Sequence, residues 1–588
     1  MFKRFLAATS ASLLLLTLPS CIDENYDLEN IDTDVQFKVN NLTLPLNIQD
    51  IAFGDFIEPS GNLQVMNGEY VFTESGEFNS SEICIDAIHV DAPKDVVTTT
   101  TFRLLPENLP VVIEGLMLPE FSYDLHDAIH ENYEYSTDVD TDIKNIDAVE
   151  VNTHVKFSLS IEGAVIDDEK VYIQNFEMHV PKCLEMDVYV NDKLRPGCYD
   201  ADKGVVAVDY VHAEDHALSI EFFIHKVFIN NNSTAKYYDG HFEIIDDISI
   251  INGELMFAKG AIQGNAPEFL KLETTAHFTE LTVSKFWGSI DYNYDFNIDP
   301  IAINDLPDFL GQNGTKLILA NPQVYLSVNN PVHQYGLTGF AKLSITPERE
   351  SIARQTISMP EPLILEAKPG RQAFCLSPSA EGINVPTDIF EGMPIYDNPL
   401  HVPFPGLSRV LDCNGIPDRL NISINAGITP ESKVDGFELG VNHGAVNGYY
   451  KLVAPVALSA DSEITYSDES TDWDSDMLRD LVIEHIGIQA DIVNESPFAV
   501  EIAGYPLRKI GAERWEQIDN VEVVGTTIEP GTTSKLNIQT KGGKITNLDG
   551  FNFTAKLKSN GKGVLSPEQK VKLSNIRVKV SGNYTTEL

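Results

Sequence analysis

Alternation of apolar and polar residues at every second position is the feature that most limits what this chain can fold into. Val35-Gln36-Phe37-Lys38-Val39 sets a polar residue between each apolar pair, and His154 to Ile161 repeats the pattern. Val324 to Val328 and Phe551 to Leu557 carry it toward the C-terminal end. A period of two sends successive side chains to opposite faces of a strand, so each segment buries one face and wets the other. Gly, Pro, Asn and Asp interrupt the runs, as strand ends and turns require. Long helical patterns are absent. Short helix candidates are Asp305–Leu310, the segment around His126–His130, and Asp474–His485, where Met477, Leu478, Leu481 and Val482 share a face at helical spacing. The expected fold is all-β: tandem antiparallel β-sandwich modules, Ig-like in the general sense, with a few short helices.

A chain of 588 residues exceeds one hydrophobic core and predicts several domains. Two stretches read as a tandem duplication. The first runs DLPDFL, VYLSVNNP, LTGFAKLSI, EAKPGRQAF, and the second SDMLRDL, IQADIVNESP, EIAGYPL, TIEPGTTSKL. Val328-Asn329 matches Val493-Asn494, Pro331 matches Pro497, Gly339-Phe340 matches Gly504-Tyr505, and Pro369-Gly370 matches Pro530-Gly531. Shared order and spacing point to two sandwich modules of similar topology. The expected division is a signal segment 1–20, a flexible leader 21–33, β domains 34–150 and 151–270, and repeat modules 271–430 and 431–588.

Charge excludes one class of partner. Lys and Arg total 41 against 88 Asp and Glu, a net of −47, which repels nucleic acid and anionic lipid headgroups. Such a surface suits divalent cations or a neutral or basic partner. The C-terminal module is locally basic, with ten Lys and Arg from Lys535 to Lys579.

Catalytic signatures are missing, and the chain reads as a non-enzyme. His126/His130 and His212/His216 have the i, i+4 spacing of a zinc helix but lack the Glu directly after the first His and any third ligand. There is no G-x-S-x-G elbow, no phosphate-cradling loop, and Ser233-x-x-Lys236 stands without companion motifs. Asp138, Asp140 and Asp142 place carboxylates at alternate positions and are the candidate calcium ligands, although Ile143 takes the glycine position of an EF-hand and Val149 that of its bidentate Glu. A solvated acidic loop is the competing reading there, as it is for Asp468, Glu469, Asp472, Asp474 and Asp476. Cys183 and Cys198 flank a hairpin-like stretch and are the disulfide candidates, against two unpaired thiols. Tyr133, Tyr135, Trp287, Tyr292, Tyr294, Trp473 and Trp515 lie near turns, where aromatic faces can stack on sugars or instead fill a core.

The first residues speak to location. Lys3 and Arg4 precede Leu13-Leu14-Leu15-Leu16, a run too short to span a bilayer, and Leu18-Pro19-Ser20 leads to Cys21. This resembles the lipobox of bacterial lipoproteins, which implies an acylated Cys21 as the first mature residue. Ser20-Cys21-Ile22-Asp23-Glu24-Asn25-Tyr26-Asp27-Leu28, then Ile31-Asp32-Thr33, is similar to the start of large lipoproteins of Bacteroidetes-type bacteria. That resemblance implies a lipid anchor (palmitate-like acyl chains) in the outer membrane and display at the cell surface, with its periplasmic face as the alternative. The expectation is a surface binding, adhesion or structural protein for a glycan or protein ligand, its C-terminal module farthest from the membrane. A surface hydrolase of polysaccharide or protein and a fimbria-like subunit assembling by strand donation are the alternatives. No Lys or Arg occurs between Cys21 and Lys38, so a basic cleavage site for leader removal is lacking.

Overall fold

The computed structural model describes residues 34–46, 51–52, 57, 59–105, 117–229, 234–303, 308–311, 313–381, 398–471, 481–511, 514–519, 521–524, 527–561 and 563–587. Among these the regular structure is strand, arranged in six sheets. Its only helical turns are short 3₁₀ pieces at Asp168–Lys170, Asp308–Gly311, His333–Tyr335 and Pro405–Arg409. The all-β sandwich expectation holds, and of the helix candidates Asp305–Leu310 is met over its described residues by the 3₁₀ turn Asp308–Gly311. Residues 126–129 form a turn ahead of the strand His130–Asp138. Leu481–Asn494 is a strand, because the period-two run of Ile486, Ile488, Ala490 and Ile492 takes hydrogen-bonded neighbours on both sides. Residues 472–480 lie outside the described residues.

Three units share one topology. In the first unit, Val96–Arg103, Phe269–Phe278, Ile143–Glu162 and Ala217–Phe228 lie side by side in one sheet. In its second sheet, Phe121–Asp124 and His130–Asp138 pair with His241–Phe257, which pairs with Val171–His179 and then Val205–His212. The second unit repeats the order with Glu69–Glu82, Ala445–Pro455, Gln323–Asn329 and Arg371–Ser377. Its facing sheet sets Asn293–Tyr294 and Ile301–Ala302 on Arg419–Ile428, followed by Gly339–Arg349. The third unit uses Asp34–Leu46, Lys570–Glu587, Leu481–Asn494 and Thr532–Gly542, then Glu463–Ser470, Leu548–Ser559 and Phe498–Gly511. There Val521–Val524 pairs with both halves and fuses them into one ten-stranded sheet. Every one of these pairings is antiparallel.

The units are nested rather than serial. The first described strand, Asp34–Leu46, closes the third unit, the strand Glu69–Glu82 closes the second, and Val96–Arg103 closes the first. The expected serial boundaries therefore do not match the sheets. Position 150 falls inside Ile143–Glu162, position 270 inside Phe269–Phe278, and 34–150 contributes strands to all three units. Periodicity marks a strand but not its partner, and here the partners are up to the length of the chain away. The C-terminal module, expected farthest from the membrane, does not stand apart from the N-terminal part of the chain. It holds Asp34–Leu46, the strand that directly follows the leader.

The units are joined through continuous structure. Leu281–Ile290 pairs with Ile143–Glu162 of the first unit and with Ser432–Glu438 beyond it. Between the second and third units, Ile57, Leu63, Tyr70, Leu319, Val456, Ile464, Phe498 and Leu565 belong to one apolar core. The Tyr70 hydroxyl, inside that core, donates to the Ile57 carbonyl at 2.8 Å.

A buried amide marks the duplication in space. Asn330 donates through Nδ2 to the carbonyls of Leu337 (2.8 Å) and Glu366 (3.1 Å), while its Oδ1 accepts from the Val332 N–H at 3.2 Å. Asn494 donates to Phe498 (2.7 Å) and Glu529 (3.3 Å) and accepts from the Ser496 N–H at 3.1 Å. Each clamp ties a strand end to the next strand and to the carbonyl ahead of a Pro-Gly turn. By register, Asn329 and Asn494 are equivalent, facing Arg371 and Thr532 directly after Pro-Gly. The clamp in the second unit is nevertheless carried one residue on, by Asn330. Both amides are almost fully buried (3% and 0% exposed), so a lost partner is not replaced by water. Asn494→Ala is expected to lower unfolding free energy by about 1–3 kcal/mol, from carbonyls left unpaired. Urea titration of the variant beside an exposed Lys535→Ala control checks this; equal midpoints would remove the clamp's role.

Candidate binding surface and apolar cavity

The first unit exposes an aromatic face. Strand alternation places Tyr172 and Gln174 on the outer side of Val171–His179, between buried Val171 and Ile173. The neighbouring strand brings Tyr210 and His212 beside them, with Tyr172 opposite His212 and Gln174 opposite Tyr210. Ring centroids stand 4.4 Å apart for Tyr172–Tyr210, 4.8 Å for Tyr210–His212 and 5.7 Å for Tyr172–His212. Tyr210 is 48% exposed. Desolvation against these neighbours, followed by the Tyr172 hydroxyl, raises the Tyr210 pKa above the ordinary phenol value. On the other flank Gln174 Nε2 donates to Glu254 Oε2 at 2.7 Å, and Asp124 sits opposite Glu254 on the next strand. The face thus offers apolar rings with an amide, an imidazole and carboxylates at their edges. Nothing in the sequence singled out Tyr172 and Tyr210. The signal that could have found them is the spacing Tyr172-x-Gln174 and Tyr210-x-His212, which shares one face of a strand.

The sequence candidates are dispersed. Asp138 binds His241 Nδ1 at 3.0 Å, whereas Asp140 accepts the Asp142 N–H at 2.9 Å in a local turn. Burial, and next the Asp140 charge, raise the pKa of Asp142. The structure does not gather these three into a common ligand group; among the described residues that grouping occurs at His179, Asp246 and Asp247. His179 Nε2 lies 3.5 Å from Asp246 and 3.9 Å from Asp247. Those carboxylates already accept the Asp247 N–H (2.9 Å) and the Ser249 hydroxyl (2.9 Å), beside the bulges where the two strands shift register. His126 and His130 flank Asp127 on an exposed turn, and His216 is held by Asp168 at 3.0 Å while His212 joins the aromatic face.

Among the described residues the turn aromatics form no single platform either. Tyr135 and Tyr294 are buried. Trp287 donates to Asp435 at 2.6 Å under the Lys226 ammonium, and Trp515 donates to Asp549 at 2.8 Å in another unit. Cys183 and Cys198 are free thiols, Cys183 buried with its sulfur 3.7 Å from the Thr234 hydroxyl. Cys21, Trp473, Asp472, Asp474, Asp476 and Ser233 lie outside the described residues.

A second feature lies between the sheets of the second unit. A cavity of about 110 Å³ is lined only by apolar side chains, including Phe78, Leu326, Ala341, Ile424, Ala426 and Tyr450. A smaller space of about 30 Å³ in the first unit is lined by Tyr133, Leu184, Phe222 and Phe278. Water needs polar partners, so such a cavity stays dry. Left empty, it costs about 2–3 kcal/mol at roughly 24 cal/mol per Å³.

No family model matches the chain, and no curated protein matches it. Among solved structures, a protein of Parabacteroides distasonis ATCC 8503 described as secreted, at 2.00 Å resolution, aligns over 50% of this chain and 89% of its own. Identity is 13% and the TM-score 0.29, a likeness too slight to carry an argument. Among the described residues no helix is long and apolar enough to cross a membrane.

Two measurements follow from these environments. With the unfolded, unreduced mature chain, a thiol reagent should count Cys84, Cys183, Cys198, Cys375 and Cys413 as five reactive thiols. In the folded protein exposed Cys84 should react first, and buried Cys375 last, its pKa pushed up to about 11 by burial. A count of three would instead mean one disulfide, with Cys183 and Cys198 the pair to map by peptide analysis. Burial also lifts the Tyr135 and Tyr199 hydroxyls to about 12. Because folding raises these pKa values above about 10, their stabilisation is full below pH ~10 and is lost as pH rises toward ~12. Tyr135→Phe should flatten that alkaline decline in a pH series of urea midpoints, and an unchanged slope would contradict it.

Proposed function

We propose that this chain is a lipid-anchored, non-enzymatic binding protein of the bacterial cell surface whose first unit holds a neutral glycan. The observation that carries the reading is the exposed Tyr172–Tyr210–His212 face beside Gln174 and Glu254. The apolar C–H face of a sugar ring lies well against an aromatic ring, and its hydroxyls find amide and carboxylate partners at the rim. Glu254, Asp124 and the net charge of −47 disfavour acidic sugars. Anchoring rests on the Cys21 signal and its acidic leader, Asp23-Glu24. Acyl chains contribute about 0.8 kcal/mol per buried CH₂, so several together give a stable tether.

The test is affinity electrophoresis and calorimetry with neutral and uronic-acid polysaccharides. Retardation by a neutral polymer, weakened about fivefold by Tyr210→Ala through loss of roughly 1 kcal/mol, is the expected result. Binding unaffected by Tyr172→Ala and Tyr210→Ala would overturn the site. Display is tested separately by adding protease to intact cells. Native protein should be degraded, whereas Cys21→Ala protein should be released or retained inside; protection until the outer membrane is broken would place the protein on the periplasmic side.

A further inference from the structure

We infer that the apolar cavity of the second unit is a binding site for an extended hydrocarbon chain. Its lining follows the inward positions of the strands: Val324, Leu326 and Val328 on one sheet, and Leu420, Ile422, Ile424 and Ala426 on the other. At about 3.3 Å per residue those rows run on the order of 13–20 Å, so the space is long and narrow. That shape suits an alkyl chain better than a compact ring. No polar atom lines it, so neither a headgroup nor a hydrogen-bonding ligand is recognised within it.

Small residues at particular places create the space. Ala341 and Ala426 pair across the strands Gly339–Arg349 and Arg419–Ile428. In the first unit the equivalent pair of strands meets instead as Ile173 and Leu255, both fully buried. On the opposite wall Phe78 lies over Gly448 and Tyr450 over Gly76, each ring directly across from a glycine. A Cβ at Gly448 would collide with the Phe78 ring and drive it inward. The two glycines therefore keep both aromatic rings flat against the sheet and out of the cavity. A sandwich needing only stability would fill this volume, as the first unit does.

The side wall shows where a chain could enter. The outer strand of the second unit is broken between Asn293–Tyr294 and Ile301–Ala302, as the first unit's is between Phe121–Asp124 and His130–Asp138, whereas the third unit's Glu463–Ser470 is continuous. The intervening segment sets half-buried Phe296 and Ile298 toward the cavity and Asp295, Asn297 and Asp299 toward solvent. Phe296 meets Phe78 edge-on at 5.9 Å, and the Ser81 N–H donates to Asp295 O at 2.8 Å to pin that segment at its start. Side-chain movement at Phe296 opens a path between the sheets without breaking strand pairs.

The experiment uses the full mature chain, with decanol and decanoate as probes that share a chain and differ in headgroup. Both should raise the thermal midpoint by similar amounts, and hexanol should do so less. In Ala341→Leu/Ala426→Leu the midpoint without probe should rise and the probe-induced shift should vanish, while polysaccharide retardation stays as in the native protein. Should that variant misfold, methyl NMR on the native chain decides, with probe contacts expected at Leu326, Ile424 and Leu452. Equal shifts in native and filled proteins, or probe contacts elsewhere, would overturn the proposal.

Discussion

Everything in this molecule depends on strand pairs that join opposite ends of the chain. Asp34–Leu46 lies against Lys570–Glu587, with Asp34 facing Glu587 and Leu46 facing Ile576. Inside that pair sits Glu69–Glu82 against Ala445–Pro455, and inside that Val96–Arg103 against Phe269–Phe278. A sheet edge left open would present a row of unpaired N–H and C=O groups. Each of these pairings covers one such edge of its unit. Loop-closure entropy grows only slowly with separation, so pairing across hundreds of residues is affordable once a core forms within it.

The strands themselves were legible, because one buried face forces period-two sequence. The duplication was also legible where chemistry is repeated. Pro369-Gly370 and Pro530-Gly531 make the same turn, and Asn330 and Asn494 make the same clamp ahead of it. The first unit escaped notice since it has the topology without those residues; its corresponding loop is held by Asp168, which accepts from the His216 N–H at 3.1 Å. The helix read into Asp474–His485 failed over Leu481–His485, the part within the described residues, where Leu481 and Val482 fit a helical face and a strand alike. Sheet neighbours on both sides decided it.

Sites were harder to read than strands because a site is made between strands. Tyr172 and Tyr210 are 38 positions apart in the sequence and adjacent in the sheet. Asp138, Asp140 and Asp142 alternate in sequence, yet the Asp138 carboxylate turns to His241 and that of Asp140 to the Asp142 N–H. The basic stretch near the C-terminus is similarly absorbed at home. Lys556 reaches Glu463 at 3.3 Å, Lys558 reaches Glu501 at 2.8 Å and Lys572 reaches Glu495 at 2.7 Å. These exposed pairs contribute little individually, but they use the charge within the third unit.

Nesting also fixes an order of assembly as the chain is made from its N-terminal end. The four strands Val96–Arg103, Ile143–Glu162, Ala217–Phe228 and Phe269–Phe278 of the innermost unit are all made once Phe278 has emerged, the matching set of the middle unit only after Pro455, and that of the outermost only after Glu587. Asp34–Leu46 is therefore made first and paired last. Until Lys570–Glu587 is available, that alternating segment waits with the hydrogen-bonding edge it will present to that strand unoccupied.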